Sequence, residues 1–270
     1  MIEPFLKWAG GKRWLAARGL PQPAHFDRYI EPFLGGAAVF FSILPSRALL
    51  SDLNQELIDL YRVMRDHPLR LTRILQVHHA LHCKDHYYVM RAWQPECLIE
   101  RAARTLYLNR TCWNGLYRVN QKGEFNVPIG TKSSVLFDSD DFEKVAKALS
   151  KAEIRCCDFS DTIEEAGMGD FVFVDPPYTA KHNLNGFLKY NEKMFSWTDQ
   201  LRLRDSLGGA ITRGAAVVVT NADHESVREL YEGLACYISV ARASILAADA
   251  HRRGPTTEAM FVANISQPRE

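Results

Sequence analysis

Side-chain types and spacing suit chemistry most clearly at Asp175-Pro176-Pro177-Tyr178. The segment directly follows the apolar run Asp170–Val174, which reads as a buried strand of a parallel sheet. Two prolines fix two φ angles and remove two backbone donors. A carboxylate, a rigid carbonyl and an aromatic ring are thereby presented at the carboxyl end of a strand, the edge where open α/β sheets bind ligands. An arbitrary Asp-Pro-Pro is a stiff turn; the tyrosine after it and a glycine loop upstream favour a ligand site over that reading.

That loop is Glu31-Pro32-Phe33-Leu34-Gly35-Gly36-Ala37. Glycine permits a tight turn and close backbone approach to a ligand. Asp52 lies 17 residues after Gly35 and ends the next strand. In nucleotide-binding sheets an acid at about that spacing holds ribose hydroxyls; the plainer role is a helix cap ahead of Asn54. A third stretch, Lys7-Trp8-Ala9-Gly10-Gly11-Lys12, sets two lysines around an aromatic and a glycine pair, and fits a solvated arm equally well. It lacks the Gly-x4-Gly-Lys-Ser/Thr spacing of a phosphate loop, which excludes a nucleoside triphosphatase.

Elements that position these residues follow from periodicity. Strands are predicted at Arg28–Phe33, Ala48–Asp52, Ile154–Phe159, Asp170–Val174, Ala215–Asn221, Tyr237–Ala243 and Ala259–Asn264. Helices are predicted at Ala37–Leu44, stopped by Pro45, at Gln55–Asp66 and at Thr198–Thr212. The opening strand, glycine turn, helix and strand form a βαβ unit. From Pro68 to about Asn109 the apolar spacing is helical, and Asn114–Val127 reads as a hairpin around Gln121-Lys122-Gly123. The expected fold class is therefore α/β. A sheet domain comprises residues 1–55 and 150–270, and a mostly helical insertion occupies 56–149.

Composition is that of an ordinary globular chain: 270 residues, 47 % hydrophobic and 24 % charged, with a formal charge of +1. It excludes a disordered chain or a collagen-like repeat. No run reaches the roughly 18 apolar residues of a membrane span, and the first dozen residues lack a secretory cleavage pattern. Six cysteines without a Cys-x-x-Cys pair suggest neither zinc knuckle nor redox motif. A cytoplasmic protein is expected, and Cys156-Cys157 is read as packing. His78, His79 and His82 could resemble a metal cluster, but surface or packing roles are favoured. Between Glu100 and Val135 stand six basic residues, among them Arg101, Arg104, Arg110 and Lys132, against two acidic ones. Tyr107, Trp113, Tyr117 and Phe125 are interleaved with them, a pattern that suits nucleic acid or, more plainly, a solvated face.

The stretches FLKWAGGK (5–12), EPFLGGAAVFF (31–41), SDLN (51–54), LYLNRTCWNGLYRVNQKGEFNVPIG (106–130) and DPPY (175–178) together resemble the Dam family of DNA adenine-N6 methyltransferases. They keep that family's motif order and cover nearly the whole chain. The resemblance implies a Rossmann-like S-adenosylmethionine-dependent methyltransferase sheet with an inserted target-recognition domain carrying a β-hairpin. It implies S-adenosyl-L-methionine as cofactor, held by Trp8, Lys12, Glu31, Phe33, Gly35, Asp52, Asp158 and Asp175. It implies a flipped adenine held by Asp175, Pro176 and Tyr178, and double-stranded DNA met by Asn114, Arg118, Asn120 and Lys122. Arg101, Arg104 and Lys132 are expected at phosphates, and Phe187, Tyr190 and Phe195 either line the base pocket or pack the core. Three positions depart from the family pattern. Ala37 stands where the last glycine of Phe-x-Gly-x-Gly is usual, Lys122 where GATC-specific relatives often carry Arg, and Val119 where some carry an aromatic. GATC is the default target. Competing readings are an amino methyltransferase acting on RNA adenine or protein glutamine, whose motif would begin with Asn, and a non-catalytic DNA-binding relative. A monomer without metal is expected; a cognate endonuclease is not readable from the chain.

Overall fold

The protein is described from a computed structural model covering residues 2–120, 122–180, 195–243 and 255–265. The elements in chain order are α1 (Arg13–Arg18), β1 (Arg28–Glu31), α2 (Ala38–Ile43), β2 (Ala48–Asp52), α3 (Gln55–Asp66), α4 (Pro68–Leu81), α5 (Lys84–Ala92) and α6 (Leu98–Thr111). After a short 3₁₀ turn at Trp113–Gly115 come α7 (Phe142–Leu149), β3 (Ala152–Cys156), α8 (Phe159–Glu164), β4 (Asp170–Val174), α9 (Trp197–Thr212), β5 (Ala216–Ala222), α10 (Glu225–Tyr231), β6 (Cys236–Ala243) and β7 (Pro255–Ala263). Strand order is β3-β2-β1-β4-β5-β7-β6.

By packing, the chain divides into two compact units. The first comprises Met1–Gly19 and Leu34–Cys157. In it β2 and β3 pair in parallel from Ala48↔Ala152 to Asp52↔Cys156. The Asn54 side chain caps α3 by accepting from the Leu57 amide at 3.1 Å, and Leu57, Ile58, Leu60, Tyr61, Val63 and Met64 form its buried face. This is an amphipathic helix whose apolar stripe does the packing. Pro68 opens α4, where its missing N–H costs nothing. Helix α6 is buried on every side from Ala102 to Thr111. Because α3 packs on β2 and β3 as well as on α6, the helical stretch and these two strands form one body. This division by packing does not follow the one expected at residues 56 and 150.

The second unit comprises Leu20–Phe33 and Asp158–Glu270. Strands β1, β4 and β5 are parallel, with Ile30↔Val172 and Val174↔Val219 in register. Every residue of β4 is buried, as a central parallel strand requires. β7 returns antiparallel to β5, and β6 pairs antiparallel to β7. A capping box between Ser196 and Asp199 starts α9, which packs on α8.

β1 and β3 end earlier than the sequence suggests, β1 at Glu31 rather than Phe33 and β3 at Cys156 rather than Phe159. Asp158 instead accepts from the Ser160 amide at 3.0 Å and becomes the N-cap of α8. A carboxylate at a cap satisfies a helix donor that a strand could not use.

Candidate active site

In the first unit, Asp52 closes β2. Its carboxylate accepts from the Gly35 amide at 3.1 Å and the Asn54 amide at 3.0 Å. It is not the cap of α3; Asn54 is. Burial raises the pKa of Asp52, and the amides of Asn54, Gly35 and Leu53 oppose that rise. Gly35 takes φ +45°, and a Cβ there would lie 2.8 Å from Trp8 Cδ1, so the position admits glycine alone. The Tyr61 phenol donates to the Gly35 carbonyl at 3.0 Å. Ala37, the departure from the glycine pattern, is the N-cap of α2, is buried, and sits at φ 53°, ψ 31°. This left-handed conformation is free to glycine and costly to alanine.

The arm bearing Trp8 and Lys12 is anchored rather than solvated. Asn109 grips it from α6: its Oδ1 accepts from the Lys7 amide at 3.0 Å and its Nδ2 donates to the Lys7 carbonyl at 2.7 Å. Arg110 Nη2 donates to the Phe5 carbonyl at 3.0 Å. Lys12 is buried, with its ammonium on the Gly10 carbonyl at 2.8 Å. The Trp8 ring stacks on Tyr117, with centroids 5.4 Å apart. Tyr117 donates in turn to Glu56 at 2.9 Å and neighbours Phe125, so the aromatic that opens the hairpin also flanks Trp8.

The hairpin itself is small: one antiparallel bridge joins Val119 and Phe125, and Gly123 turns at φ +78°. Asn120 builds the turn from inside. Its Oδ1 accepts from the amides of Lys122 at 2.9 Å and Glu124 at 3.0 Å, while Nδ2 donates to Glu124. Lys122 and Arg118 are exposed, Arg118 donating to Asn126 at 2.8 Å. Asn114 is exposed and left-handed at φ 55°.

The basic stretch needs correcting. Arg104 and Arg110 are 3 % and 2 % exposed. Arg104 donates to the carbonyls of Met90 and Arg91, and Arg110 pairs with Asp140 and the Val135 carbonyl. Buried and bonded to backbone carbonyls, Arg104 is not placed for the phosphate role expected of it. Its charge is absorbed by carbonyls and by Glu56 at 3.8 Å. Arg101 and Lys132 remain at the surface. The histidines pack as well: His78 Nδ1 lies 3.1 Å from His86 Nε2, His82 bonds the Tyr107 phenol, and His79 accepts from the Val135 amide.

In the second unit, β1 and β4 are neighbours at the point where strand order reverses. The crevice beyond such strand ends is the usual ligand site of an open α/β sheet. Glu31 ends β1, is buried, and accepts from the Tyr29 phenol at 2.9 Å. Phe33 stacks on Phe159 at 5.4 Å and meets Phe195 edge-on. Phe195 is buried in this aromatic group, whereas Phe187 and Tyr190 lie outside the described residues. Asp158 accepts from the Ser160 hydroxyl at 2.6 Å and pairs with Arg202 at 2.9 Å. Burial alone would raise its pKa, but Ser160 and Arg202 outweigh burial and hold it below the usual range.

Asp175 follows β4. The Thr220 hydroxyl, on β5, donates to its Oδ1 at 2.7 Å. Pro176 is buried, and the Tyr178 phenol donates to Glu258 of β7 at 2.8 Å. Burial, then the charges of Asp175 and Glu258, push the Tyr178 pKa far up, so its hydroxyl stays a donor. The corner thus offers a fixed carboxylate and a fixed ring, an arrangement that suits holding a planar base with an exocyclic amine. A family model described as D12 class N6 adenine-specific DNA methyltransferase matches residues 8–249.

The chain belongs to this family.

Among curated relatives of this D12 chain, it is 38 % identical to the type II methyltransferase M1.LlaDCHI of Lactococcus lactis subsp. cremoris, over 86 % of this chain and 85 % of that one. It is 35 % identical to the type II methyltransferase M.MjaIII of Methanocaldococcus jannaschii, over 86 % and 89 %. It is 32 % identical to the DNA adenine methylase of Escherichia coli K12, over 89 % and 88 %. A D12 enzyme transfers a methyl group to adenine in DNA, so the α/β sheet, the enzyme class and the DNA substrate expected from the motifs agree with this membership. Sequence reasoning passed over Thr220 and Glu258. An acid directly before the apolar run Ala259–Ala263 was the available signal for Glu258; a threonine in a run of valines offered none.

Proposed function

We propose that this methyltransferase takes its methyl group from S-adenosyl-L-methionine and delivers it to N6 of an adenine flipped out of double-stranded DNA, with GATC as the target sequence. The observation that carries the reading is the Asp175–Tyr178 corner, with its carboxylate and ring held by Thr220 and Glu258.

The donor's fit rests on Asp52 and Gly35. Asp52 is a buried carboxylate that takes two amide hydrogens and keeps acceptor capacity for ribose hydroxyls. Gly35 lets the turn that Asp52 braces pack directly against Trp8. Trp8, Lys12, Glu31, Phe33, Asp158 and Asp175 complete the proposed donor set. When bound, S-adenosyl-L-methionine supplies a methyl group already activated on a sulfonium.

This chain's residues do the rest. Adenine N6 is a weak nucleophile because its lone pair is delocalised into the ring. The Asp175 carboxylate and the Pro176 carbonyl accept its two hydrogens, which turns the lone pair out of conjugation and aims it. Tyr178 stacks on the base, which has left the duplex to reach it. Positioning and fixed charge supply most of the rate. The surplus proton passes to the Asp175 carboxylate or to water.

Residues 56–149 serve target recognition in this reading, and 1–55 with 150–270 serve catalysis. Lys122 meets a base edge, where it replaces the two-pronged grip an arginine gives guanine with a single flexible charge. Arg118, Asn114 and the turn that Asn120 shapes accompany it, and Arg101 and Lys132 meet phosphates. The enzyme works as a cytoplasmic monomer. Among its relatives are type II methyltransferases, which fits a restriction-modification role.

Expression in a methylation-free host, followed by genome-wide mapping of N6-methyladenine, tests all of this. The expected result is methylation at GATC. Unmethylated DNA overturns the reading, and methylation at another sequence overturns the target alone.

A further inference from the structure

Two strand registers bring Asp175, Thr220 and Glu258 to one end of the sheet of the second unit. Val174 is opposite Val219 in the parallel pair β4–β5, so the next residues are Asp175 and Thr220. Ala222 is opposite Glu258 in the antiparallel pair β5–β7. Side chains alternate along a strand, so Thr220, Ala222 and Glu258 share a face. A one-residue slip of β7 would turn Glu258 to the other side.

We propose that Thr220 and Glu258 are positioning residues for methyl transfer: Thr220 sets the plane of the Asp175 carboxylate, and Glu258 sets the Tyr178 ring. The inference rests on the reading of Asp175 and Tyr178 given above and extends it to two residues outside the motif.

Thr220 has one hydroxyl proton and several partners within reach, the Tyr178 phenol among them. Asp175 Oδ1 is at 2.7 Å and the Val174 carbonyl at 3.4 Å. The shorter, charge-assisted bond takes the proton. Thr220 is 2 % exposed, so water does not replace it. With Oδ1 committed, rotation of the carboxylate breaks a buried hydrogen bond, and the angle it offers an amine hydrogen is fixed. Reaction rates are steep in such angles, because misplacement by about 1 Å costs about 10²-fold.

Glu258 does the equivalent for the ring. It is 5 % exposed, and a buried carboxylate without a donor is costly. The Tyr178 phenol supplies a donor at 2.8 Å. The bond pins the far end of the ring, leaving its faces to meet a base.

The test is the single-turnover rate of methyl transfer to an adenine-containing duplex, at saturating duplex and S-adenosyl-L-methionine, with both dissociation constants measured separately. Thr220→Val keeps the shape and removes the hydroxyl. It is expected to slow transfer about 10- to 100-fold while both dissociation constants stay within about threefold. The acid limb of its rate–pH profile moves up, because the ionised carboxylate has lost a donor while still facing Tyr178 and, beyond it, Glu258. Thr220→Ser restores the rate to within about threefold; a merely structural threonine would show neither the pH shift nor this rescue. Thr220→Ala takes the place of the valine variant if the latter melts early.

For the second residue, Glu258→Gln keeps an acceptor and stays near wild type. Glu258→Leu loses about tenfold in rate, and loses much less when Tyr178→Phe has already removed the donor. Wild-type turnover by Thr220→Val with an unmoved acid limb overturns the Thr220 role. Independent, multiplying effects at 178 and 258 overturn the Glu258 role. An active wild type keeps the underlying reading in either case, whereas a wild type that methylates no adenine removes the reading and this inference together.

Discussion

Asp52 and Asp175 both stand at the carboxyl end of a parallel strand, and their carboxylates are held by different means. Asp52 receives the backbone amides of Gly35 and Asn54, so the chain's own path makes its setting. Asp175 receives the side-chain hydroxyl of Thr220. A backbone donor survives every substitution that keeps the turn, whereas a side-chain donor vanishes with one codon. The carboxylate proposed to bind is therefore braced by the turn, and the carboxylate proposed to act takes one of its hydrogen bonds from a replaceable neighbour.

The sharpest way to break this contrast is Asp175→Ala. Transfer is expected to fall by roughly 10³-fold or more, with thermal unfolding like wild type; near-normal turnover in a labelled-methyl assay would refute the assignment. Asp52→Ala should behave in the opposite sense. Donor affinity measured by calorimetry weakens about 10- to 100-fold, and stability drops about 1–3 kcal/mol as two amides lose their acceptor.

Acid sharpens the same contrast. Burial raises the Asp52 pKa, so its ionised form, the one that accepts ribose hydroxyls, is lost earlier on acidification than for an ordinary carboxylate. Donor affinity should fall as pH drops through a midpoint above the usual carboxylate range, and Asp52→Asn should flatten that dependence.

Smaller effects belong to the periphery. Lys122→Ala should weaken duplex binding about tenfold and blur preference at one base pair, read by titration of matched and mismatched duplexes; unchanged affinity and preference would exclude the base contact. Ala37→Gly should raise stability by up to about 1 kcal/mol in denaturant unfolding, since relief of the left-handed strain exceeds the entropy glycine adds to the unfolded chain.

Legibility in the sequence followed the strength of local signals. β2, α3 and β4 begin and end where apolar runs and the Asn54 cap say they should. The motif aspartates were legible because proline and glycine mark a turn whatever surrounds it. Four short helices were not: α1, α7, α8 and α10 span six to eight residues, too few for a period to emerge, whereas the equally short α2 was marked by its glycine turn and Pro45. Asp158 looked like the end of a strand because a cap is decided by one hydrogen bond, not by a pattern. The arginines of α6 misled in another way. Charge counts cannot distinguish a guanidinium facing solvent from one whose hydrogens are spent on buried carbonyls, as at Arg104 and Arg110. Thr220 and Glu258 came into view only with strand register, which is a long-range fact.

The grip of α6 on the chain's beginning carries a last consequence. Asn109 closes both backbone groups of Lys7, and Arg110 closes the carbonyl of Phe5. A protease that trimmed the polypeptide just past Lys7 would take the Lys7 partners from a buried carboxamide and the Phe5 carbonyl from a buried guanidinium at once. The nick would loosen α6 from within, and the loss of a few residues at the edge would be felt as softening of the centre.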